Sequence, residues 1–225
     1  IHQMLEAKRA LLLAISHELR SPITRARLHA ELLPEEGEAA GQRQALLGDL
    51  QEMATLVSDL LESERLSGGH AVLSREPVDL PGLARDVVQE LGARHPRAAE
   101  VVVRAGVDLA AVSVDRARVR LLLRNLVDNA LRHGGEALQP PELHLSRTSQ
   151  GVRIEVRDHG PGVPEAQLDQ LAQAFYRPDS ARTRAAGGVG LGLYLCRLVA
   201  QAHGGRLVLS NAQPGLRVQA ELPMA

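Results

Sequence analysis

The sequence predicts an α+β fold in two parts, a helical hairpin that forms a four-helix bundle by dimerisation and then an α/β sandwich. A seven-residue apolar repeat in the first third of the chain predicts the hairpin. Beyond residue 70, strand-like runs are mixed with helical segments without strict alternation, which predicts the sandwich. The 225 residues are enough for two domains. We expect the hairpin at 1–67, a linker at 68–74 and the second domain at 75–225.

The hairpin is predicted from two helical segments with a short turn between them. Residues 3–32 contain no glycine and many helix formers, with one interruption at Pro22, and Pro34 and Gly37 mark the turn. The second segment, 42–66, carries apolar residues in steps of four and three at Leu46, Leu50, Met53, Val57 and Leu60. A lone hairpin cannot cover such a seam, so we expect a homodimer.

The second part begins after "LSGGH" at 66–70, which breaks the helical pattern. Helices are predicted at 80–91 and 115–133. Strands are predicted for "EVVVRAG", "ELHLSRT", "VRIEVRD", "RLVLSN" and "LRVQAELP". This order favours an antiparallel-rich sheet with helices on one face.

Composition excludes several classes of protein. Acidic and basic residues nearly balance, with a formal net charge of -1, so we expect no nucleic-acid partner. The single Cys196 cannot form an intrachain disulfide, which suits a reducing compartment. The apolar runs, such as "ALLLAI" at 10–15, are far shorter than the roughly 20 residues that cross a bilayer. Because the chain starts at Ile1 rather than Met, we expect a longer protein, in which a membrane segment can lie upstream.

The first helix presents a histidine on its polar side. Leu12, Ile15 and Leu19 share one face, and His17 lies about 200° from both Ile15 and Leu19, so it faces water. Polar residues follow it along the same stripe: Arg20, Ser21 and Thr24.

A neutral imidazole is a good nucleophile, and the neighbouring Glu18 can accept its proton. Pro22 should bend the helix just after His17, because it lacks an N–H and clashes with the preceding turn. The alternative is a surface histidine without function and a proline that only bends the helix.

A second candidate site lies in "LLLRNLVDNALRHG", residues 121–134. Asn125 and Asn129 are one turn apart on an otherwise apolar helix, with Arg132 and His133 on the next turn. Carboxamide oxygens suit Mg²⁺, and an arginine suits a phosphate. The alternative is that the asparagines cap or bridge neighbouring segments.

Two glycine motifs follow. Asp158 ends a strand in "VRDHGPGVP", where Gly160 and Gly162 permit a close ligand approach, although ordinary turns share the pattern. The stretch 187–205 runs from a glycine-rich loop into an amphipathic helix, an arrangement that presents backbone N–H groups to phosphate. Neither the P-loop nor the dinucleotide fingerprint fits it.

Between these motifs, "FYRPDSARTRAAGG" is poorly patterned and predicts a mobile lid. Arg177, Arg182 and Arg184 in this stretch can reach phosphates; the alternative is a solvated basic loop.

Taken in order, "SHELRSP", "NLVDNALRHG", "DHGPG", "FYRPDSAR" and "GGVGLGL" resemble the phosphoacceptor, N, G1, F and G2 boxes of bacterial two-component sensor histidine kinases. The resemblance covers nearly the whole chain. It implies a dimeric phosphoacceptor hairpin followed by the ATPase sandwich shared with Hsp90, MutL and gyrase. The domain at 75–225 would then be the ATP-binding catalytic domain.

The resemblance also implies roles for individual residues. His17 would be phosphorylated with Glu18 as general base, and Asn129 with Asn125 would coordinate Mg²⁺ at the ATP phosphates. Asp158 would accept a hydrogen bond from the adenine amino group. The implied ATP-binding set is Asn125, Asn129, Arg132, His133, Asp158, Gly160, Gly162, Arg177, Gly188, Val189, Gly190, Leu191, Gly192 and Leu193.

The implied partners are a second copy of the chain and the receiver domain of a response regulator, whose aspartate takes the phosphoryl group. The implied location is the cytoplasmic portion of an inner-membrane protein. Two positions depart from the family pattern. Ser21 replaces the usual Thr or Asn and leaves phosphatase activity less certain than kinase activity, while Val189 replaces a common Thr. The alternatives are an ATPase of the same fold without histidine phosphorylation and a degenerate dimeric scaffold.

Overall fold

A computed structural model describes residues 19, 22–33, 39–67, 72–134, 137–178 and 190–224 of the chain. The chain separates into two compact units, Ile1–Gly68 and Gly69–Ala225. The predicted α+β class is confirmed, because the first unit is helical and the second combines helices with a mixed sheet.

In the first unit, helix α1 (22–31) packs against helix α2 (Ala40–Ser67). Hydrogen bonds from Arg27 to Gln51 and from Arg43 to the carbonyl of Glu31 show that the two helices run antiparallel. Their shared core consists of Ile23, Ala30 and Leu50, with Leu47, Ala54 and Val57 packed against it. The predicted second helix of the hairpin is therefore confirmed.

The predicted seam on α2 is only partly buried within one chain. Leu50 is buried, whereas Leu46 and Met53 are 42% and 48% exposed. An apolar stripe of this kind is costly to leave in water, and it agrees with the expectation of a partner helix. The candidate catalytic residues of the first helix, His17, Glu18 and Ser21, lie outside the described residues.

The second unit is built on a five-stranded sheet in the order β2-β4-β5-β7-β6. Its strands are β2 (Val102–Ala105), β4 (Glu142–Arg147), β5 (Gly151–Arg157), β6 (Arg206–Asn211) and β7 (Leu216–Pro223). Strands β2 and β4 are parallel and the other neighbours are antiparallel, which confirms the antiparallel-rich sheet. All five predicted strands are present.

The sequence missed a small second sheet, in which β1 (Arg75–Val78) pairs antiparallel with β3 (Val112–Asp115). Both strands have only four residues. Pro77 interrupts the strand signal in β1, and β3 alternates over only four residues before it runs directly into a helix.

Three helices pack with the sheet: α3 (Leu80–Leu91), α4 (Arg116–His133) and α5 (Gly192–Ala202). Asp79 and Asp115 cap α3 and α4, since each accepts a hydrogen bond from a backbone N–H of the first turn. In β5, Val152, Ile154 and Val156 are buried and alternate with half-buried charged residues, so the helices cover one face of the sheet.

The described residues of this unit also form two 3₁₀ helices, Pro96–Glu100 and Glu165–Gln170. Within the described part of the chain, no helix combines the length and apolar character needed to cross a membrane.

Candidate nucleotide-binding site

The two asparagines of α4 lie on its partly exposed side, one turn apart. Asn125 Nδ2 donates to the carbonyl of Leu121 at 2.9 Å, so its Oδ1 is the atom available to a ligand. Among the described residues, none forms a hydrogen bond with the side chain of Asn129. A Cβ at Gly192, the first residue of α5, would lie 3.2 Å from Asn125 Oδ1. The glycine therefore brings the start of α5 against the carboxamide.

Arg132 is fixed by a neighbour on the same helix. Its Nε donates to Asp128 Oδ2 at 2.8 Å, and the other oxygen of Asp128 accepts from His95 Nε2 at 2.7 Å. Sequence reasoning missed Asp128 and His95. An acid four residues before an arginine is a helical ion-pair signal that could have identified Asp128, but nothing local indicates His95.

His133 lies half-buried at the end of α4. Burial lowers the pKa of its imidazole, and the nearby Arg132 and Arg177 act in the same direction, whereas Asp158 opposes them. The side chain is therefore neutral near pH 7 and presents a flat, uncharged ring. Arg177 is half-buried, and its charge acts on the same imidazole.

Asp158 follows β5 and is buried, with 4% of its surface exposed. Its Oδ1 accepts from the backbone N–H of Gly160 at 2.8 Å and of Leu216 at 3.2 Å. No described residue donates to Oδ2. Burial raises the pKa of this carboxyl, and the two backbone hydrogen bonds act against that rise. One oxygen is thus held by the fold, while the other remains an acceptor for a ligand.

Three glycines allow the main chain to approach this carboxylate closely. A Cβ at Gly134 would lie 3.2 Å from the Asp158 Cβ, and one at Gly160 would lie 2.5 Å from the carbonyl oxygen of His133. Gly215 has φ +93°, and a Cβ there would collide with the carbonyl of Asp158. Side chains at these positions would push Asp158 away from the end of α4.

The second glycine of the predicted motif, Gly162, has φ +70°, a region that favours glycine. Its open side is filled by Asn211, whose Oδ1 would be 2.8 Å from a Cβ at Gly162. Asn211 also accepts from Val163 N at 3.1 Å and donates to Val163 O at 2.8 Å. Asn211 therefore fixes the loop that follows Asp158. Because it lies 48 residues from Val163, nothing local in the sequence indicates this role.

The glycine-rich stretch runs into a helix as the sequence predicts. Gly190 has φ +78° and its carbonyl accepts from Phe175 N at 3.0 Å, which joins this loop to the "FYR" segment. Leu191 is buried, Gly192 begins α5, and Leu193 is half-buried in its first turn. The remaining predicted residues of this loop, Gly188 and Val189, lie outside the described residues, as do Arg182 and Arg184.

These contacts arrange polar groups along one helix. Asn125 abuts the start of α5, and Gly134, nine residues later, abuts Asp158, a separation of about 14 Å along α4. One end offers a buried carboxylate oxygen beside a neutral imidazole. The other offers the carboxamide oxygens, with Arg132 one turn after Asn129 on the same side of the helix. The described residues contain no group of three or more His, Cys, Asp or Glu side chains that could hold a metal, so any cation here would need ligand oxygens as well.

Comparisons with known proteins identify the family to which these two units are similar. The family model described as "Histidine kinase-, DNA gyrase B-, and HSP90-like ATPase" matches residues 114–225. The model described as "His Kinase A (phospho-acceptor) domain" matches residues 7–69. The first model covers residues of the second unit, and the second covers nearly all of the first unit.

Among curated relatives, the adaptive-response sensory kinase SasA of Synechococcus sp. is 33% identical over 222 residues, which are 94% of this chain and 58% of SasA. The sensor histidine kinase MtrB of Mycobacterium leprae is 33% identical over 199 residues, 86% of this chain and 35% of MtrB. The chain therefore spans about a third to a little over half of these relatives.

Solved structures agree on the fold. Full-length ShkA in complex with AMPPNP is 27% identical and superposes with a TM-score of 0.74 over 96% of this chain and 46% of ShkA. The catalytic domain of histidine kinase ThkA is 25% identical, with a TM-score of 0.55 over 68% of this chain and 99% of that domain. The ordered motifs, the two family models and these relatives show that the chain belongs to the two-component histidine kinases and carries both their phosphoacceptor and ATPase domains.

Proposed function

We propose that this chain binds ATP between α4 and the Asp158 loop and transfers its γ-phosphoryl group to His17. The observation that carries the proposal is the buried Asp158 carboxylate. One of its oxygens is held by two backbone N–H groups, and the other has no donor among the described residues. The fold thus holds this carboxylate in place with one oxygen left as an acceptor for a ligand that supplies a donor. The AMPPNP complex of ShkA supports a nucleotide as that ligand.

At the base end, Asp158 Oδ2 accepts a hydrogen bond from the exocyclic amino group of adenine. The neutral ring of His133 lies beside this carboxylate and offers a flat surface to the base. Gly160 and Gly162 keep the loop close to the end of α4, and Asn211 holds it in that position. Recognition of the base is thus built into the backbone of the fold.

At the phosphate end, Asn125 and Asn129 supply amide oxygens, and Arg132 supplies a rigid donor. These residues fit Mg²⁺, because the Nδ2 of Asn125 is already engaged and its Oδ1 is left for a hard cation. When bound, the ion neutralises charge on the phosphates during transfer. Backbone N–H groups of the glycine-rich loop and the helix start close over the phosphates. These groups belong to Gly188, Val189, Gly190, Leu191, Gly192 and Leu193.

In the transfer step, a ring nitrogen of His17 attacks the γ-phosphorus, and the bond from that phosphorus to the β,γ-bridging oxygen breaks. ADP leaves with the electron pair of that bond. Glu18 accepts the proton of the imidazole. The phosphoryl group then passes to an aspartate of a response regulator, which restores His17. Ser21 keeps a hydroxyl near this histidine, which allows hydrolysis of the phosphorylated regulator.

We further propose domain boundaries at 1–67, 68–74 and 75–225 and a homodimer formed through the hairpin. The exposure of Leu46 and Met53 on α2 supports the dimer, because a second hairpin would cover them. We also propose that the chain is the cytoplasmic portion of a membrane-anchored sensor, as the motif resemblance implies; the relatives named as sensor kinases are longer than this chain.

The test is incubation of the full chain with γ-labelled ATP and Mg²⁺, followed by assay for acid-labile, base-stable label on the protein. The comparison is between the parent, His17→Gln and His29→Gln, since His29 is an exposed histidine on the same predicted helix. We expect label on the parent and on His29→Gln, and none on His17→Gln. Equal label on His17→Gln would refute the assignment. Nucleotide binding without label on any variant would instead favour an ATPase of the same fold.

A further inference from the structure

Three side chains form a hydrogen-bonded row beside the candidate phosphate end of the site. His95 Nε2 donates to Asp128 Oδ1 at 2.7 Å, and Arg132 Nε donates to Asp128 Oδ2 at 2.8 Å. The side chains of His95, Asp128 and Arg132 are 21%, 24% and 30% exposed. Both carboxylate oxygens of Asp128 are therefore engaged, by residues from two separate segments of the chain.

His95 comes from a short segment whose own backbone is fixed. Its N–H donates to the carbonyl of Leu91 at 2.9 Å, and its carbonyl accepts from Ala98 N at 2.8 Å. Two residues later, Arg97 Nη1 donates to the carbonyl of Gly134 at 3.4 Å. This segment thus holds the last two turns of α4 from outside.

Arg132 lies on the same side of α4 as the carboxamides. At 100° per residue it is about 20° from Asn125 around the helix axis. Asp128 is one turn before it and about 60° from Asn125, so it flanks the ligand side without facing it. Because the guanidinium group is planar and rigid, the bond through Nε fixes the direction of its remaining N–H groups.

We propose that Asp128, braced by His95, is a positioning residue that orients the Arg132 guanidinium toward the nucleotide phosphates. The inference rests on the proposed binding of ATP. Asp128 does not touch the nucleotide and acts only through Arg132. The Asp128 carboxylate is shared between two donors, so its geometry is set before any nucleotide arrives.

The direction in which nucleotide affinity changes when Asp128 is replaced separates this role from a purely electrostatic one. Removing the Asp128 charge leaves the site more positive, so Coulomb attraction alone would tighten the binding of a polyphosphate. Loss of the orienting hydrogen bond would weaken the binding, because Arg132 would have to be ordered when the nucleotide binds. A general defect in folding would weaken the binding of adenosine as much as that of a triphosphate.

The experiment is calorimetric titration of the full chain with AMPPNP and Mg²⁺ and, separately, with adenosine. The variants are Asp128→Asn, Arg132→Gln and the double substitution. The matched control is Glu90→Gln, which removes a carboxylate that braces α4 from α3 through Arg120, about 140° around the helix axis from Asn125. Should Asp128→Asn fail to fold, His95→Phe takes its place, because it removes the donor to Asp128 Oδ1 and keeps the Asp128–Arg132 pair.

We expect Asp128→Asn to weaken AMPPNP binding roughly tenfold, the range of one well-made hydrogen bond, and to leave adenosine binding within about twofold. His95→Phe should weaken AMPPNP binding by about threefold, since it loosens the same hydrogen bond. The double variant should bind no more weakly than Arg132→Gln alone, because the two residues act as one unit. Glu90→Gln should match the parent.

Tighter AMPPNP binding, equal losses for AMPPNP and adenosine, or additive losses in the double variant would each overturn the positioning role. A parent chain that binds neither ligand would overturn the proposed function itself, and the inference with it. The two failures are therefore distinguishable, because only the second affects the parent.

Discussion

The base end and the phosphate end of the candidate site are built in different ways. At the base end, Asp158 is buried, and its Oδ1 accepts two backbone hydrogen bonds. At the phosphate end, the asparagines are half-buried, and Arg132 Nε donates to the side chain of Asp128. Backbone bonds inside a sheet and its loops resist displacement more than side-chain bonds on a helix surface do. The fold therefore presets the recognition of the base through backbone hydrogen bonds and orients the phosphate contacts through side-chain hydrogen bonds.

The largest expected effect comes from Gly215→Ala at the base end. Gly215 has φ +93°, and the substitution would place a Cβ against the carbonyl of Asp158. We expect a loss of about 3 kcal/mol in the free energy of unfolding, because backbone strain and overpacking add. Gly204→Ala is the control: its φ is +80°, but nothing lies within 4 Å of its Cβ. This control should lose only about 1 kcal/mol. Urea denaturation measures the free energy of unfolding of both variants. Equal losses would show that the contact between the new Cβ and the carbonyl of Asp158 adds no cost.

Asp158→Asn should keep the two backbone hydrogen bonds at Oδ1 and replace the acceptor at Oδ2 with an N–H donor. We expect AMPPNP binding to fall about 100-fold, because a donor would then face the amino group of adenine. Asp169→Asn, at an exposed carboxylate of the second 3₁₀ helix, is the matched control. Calorimetric titration gives both affinities, and a loss below about threefold would remove Asp158 from base recognition.

Asn129→Ala tests the phosphate end. We expect it to weaken AMPPNP binding about tenfold with Mg²⁺ present, because one amide oxygen ligand is lost. With the metal removed by EDTA, the parent and the variant should bind equally. A loss of the same size without Mg²⁺ would assign Asn129 to direct contact with the nucleotide or to the fold.

The smallest effect is a dependence of stability on pH at Asp158. Burial raises the pKa of this carboxyl in the folded protein above its ordinary value. The folded state therefore bears a cost that is absent when the carboxyl is protonated and appears as the pH rises through the raised pKa. Asp158→Asn, which removes the charge, should raise the Tm at pH 7 and match the parent at pH 3. A Tm that is lower than that of the parent at pH 7 would contradict this account.

The sequence predicted the elements on which the site is built, because their signals are local. Helices α2 to α5 and the five strands of the main sheet follow from periodicity. The loop-to-helix transition at Gly192 follows from the glycine-rich stretch. Residues with local chemistry, such as the asparagine pair and Asp158, could be selected as candidates on spacing and on the resemblance.

The sequence could not identify the residues that support this site from distant segments. His95 reaches Asp128 across 33 positions, and Asn211 reaches Val163 across 48. Pairings of this kind exist only once the chain has folded, because helix and strand periodicity carry no information on which loops meet. Strands β1 and β3 were missed because each has only four residues, too few to show a periodicity, and β1 also contains a proline.

The most direct measurement of the central claim is the affinity of the full chain for ATP and for GTP, with the parent and Asp158→Asn titrated side by side. Adenine offers an amino group to Asp158 where guanine offers a carbonyl oxygen, and two facing acceptors repel. The account predicts that the parent prefers ATP by about 100-fold and that Asp158→Asn loses this preference, because its N–H donor suits guanine. Equal binding of the two nucleotides by the parent would contradict the assignment of Asp158 to the base.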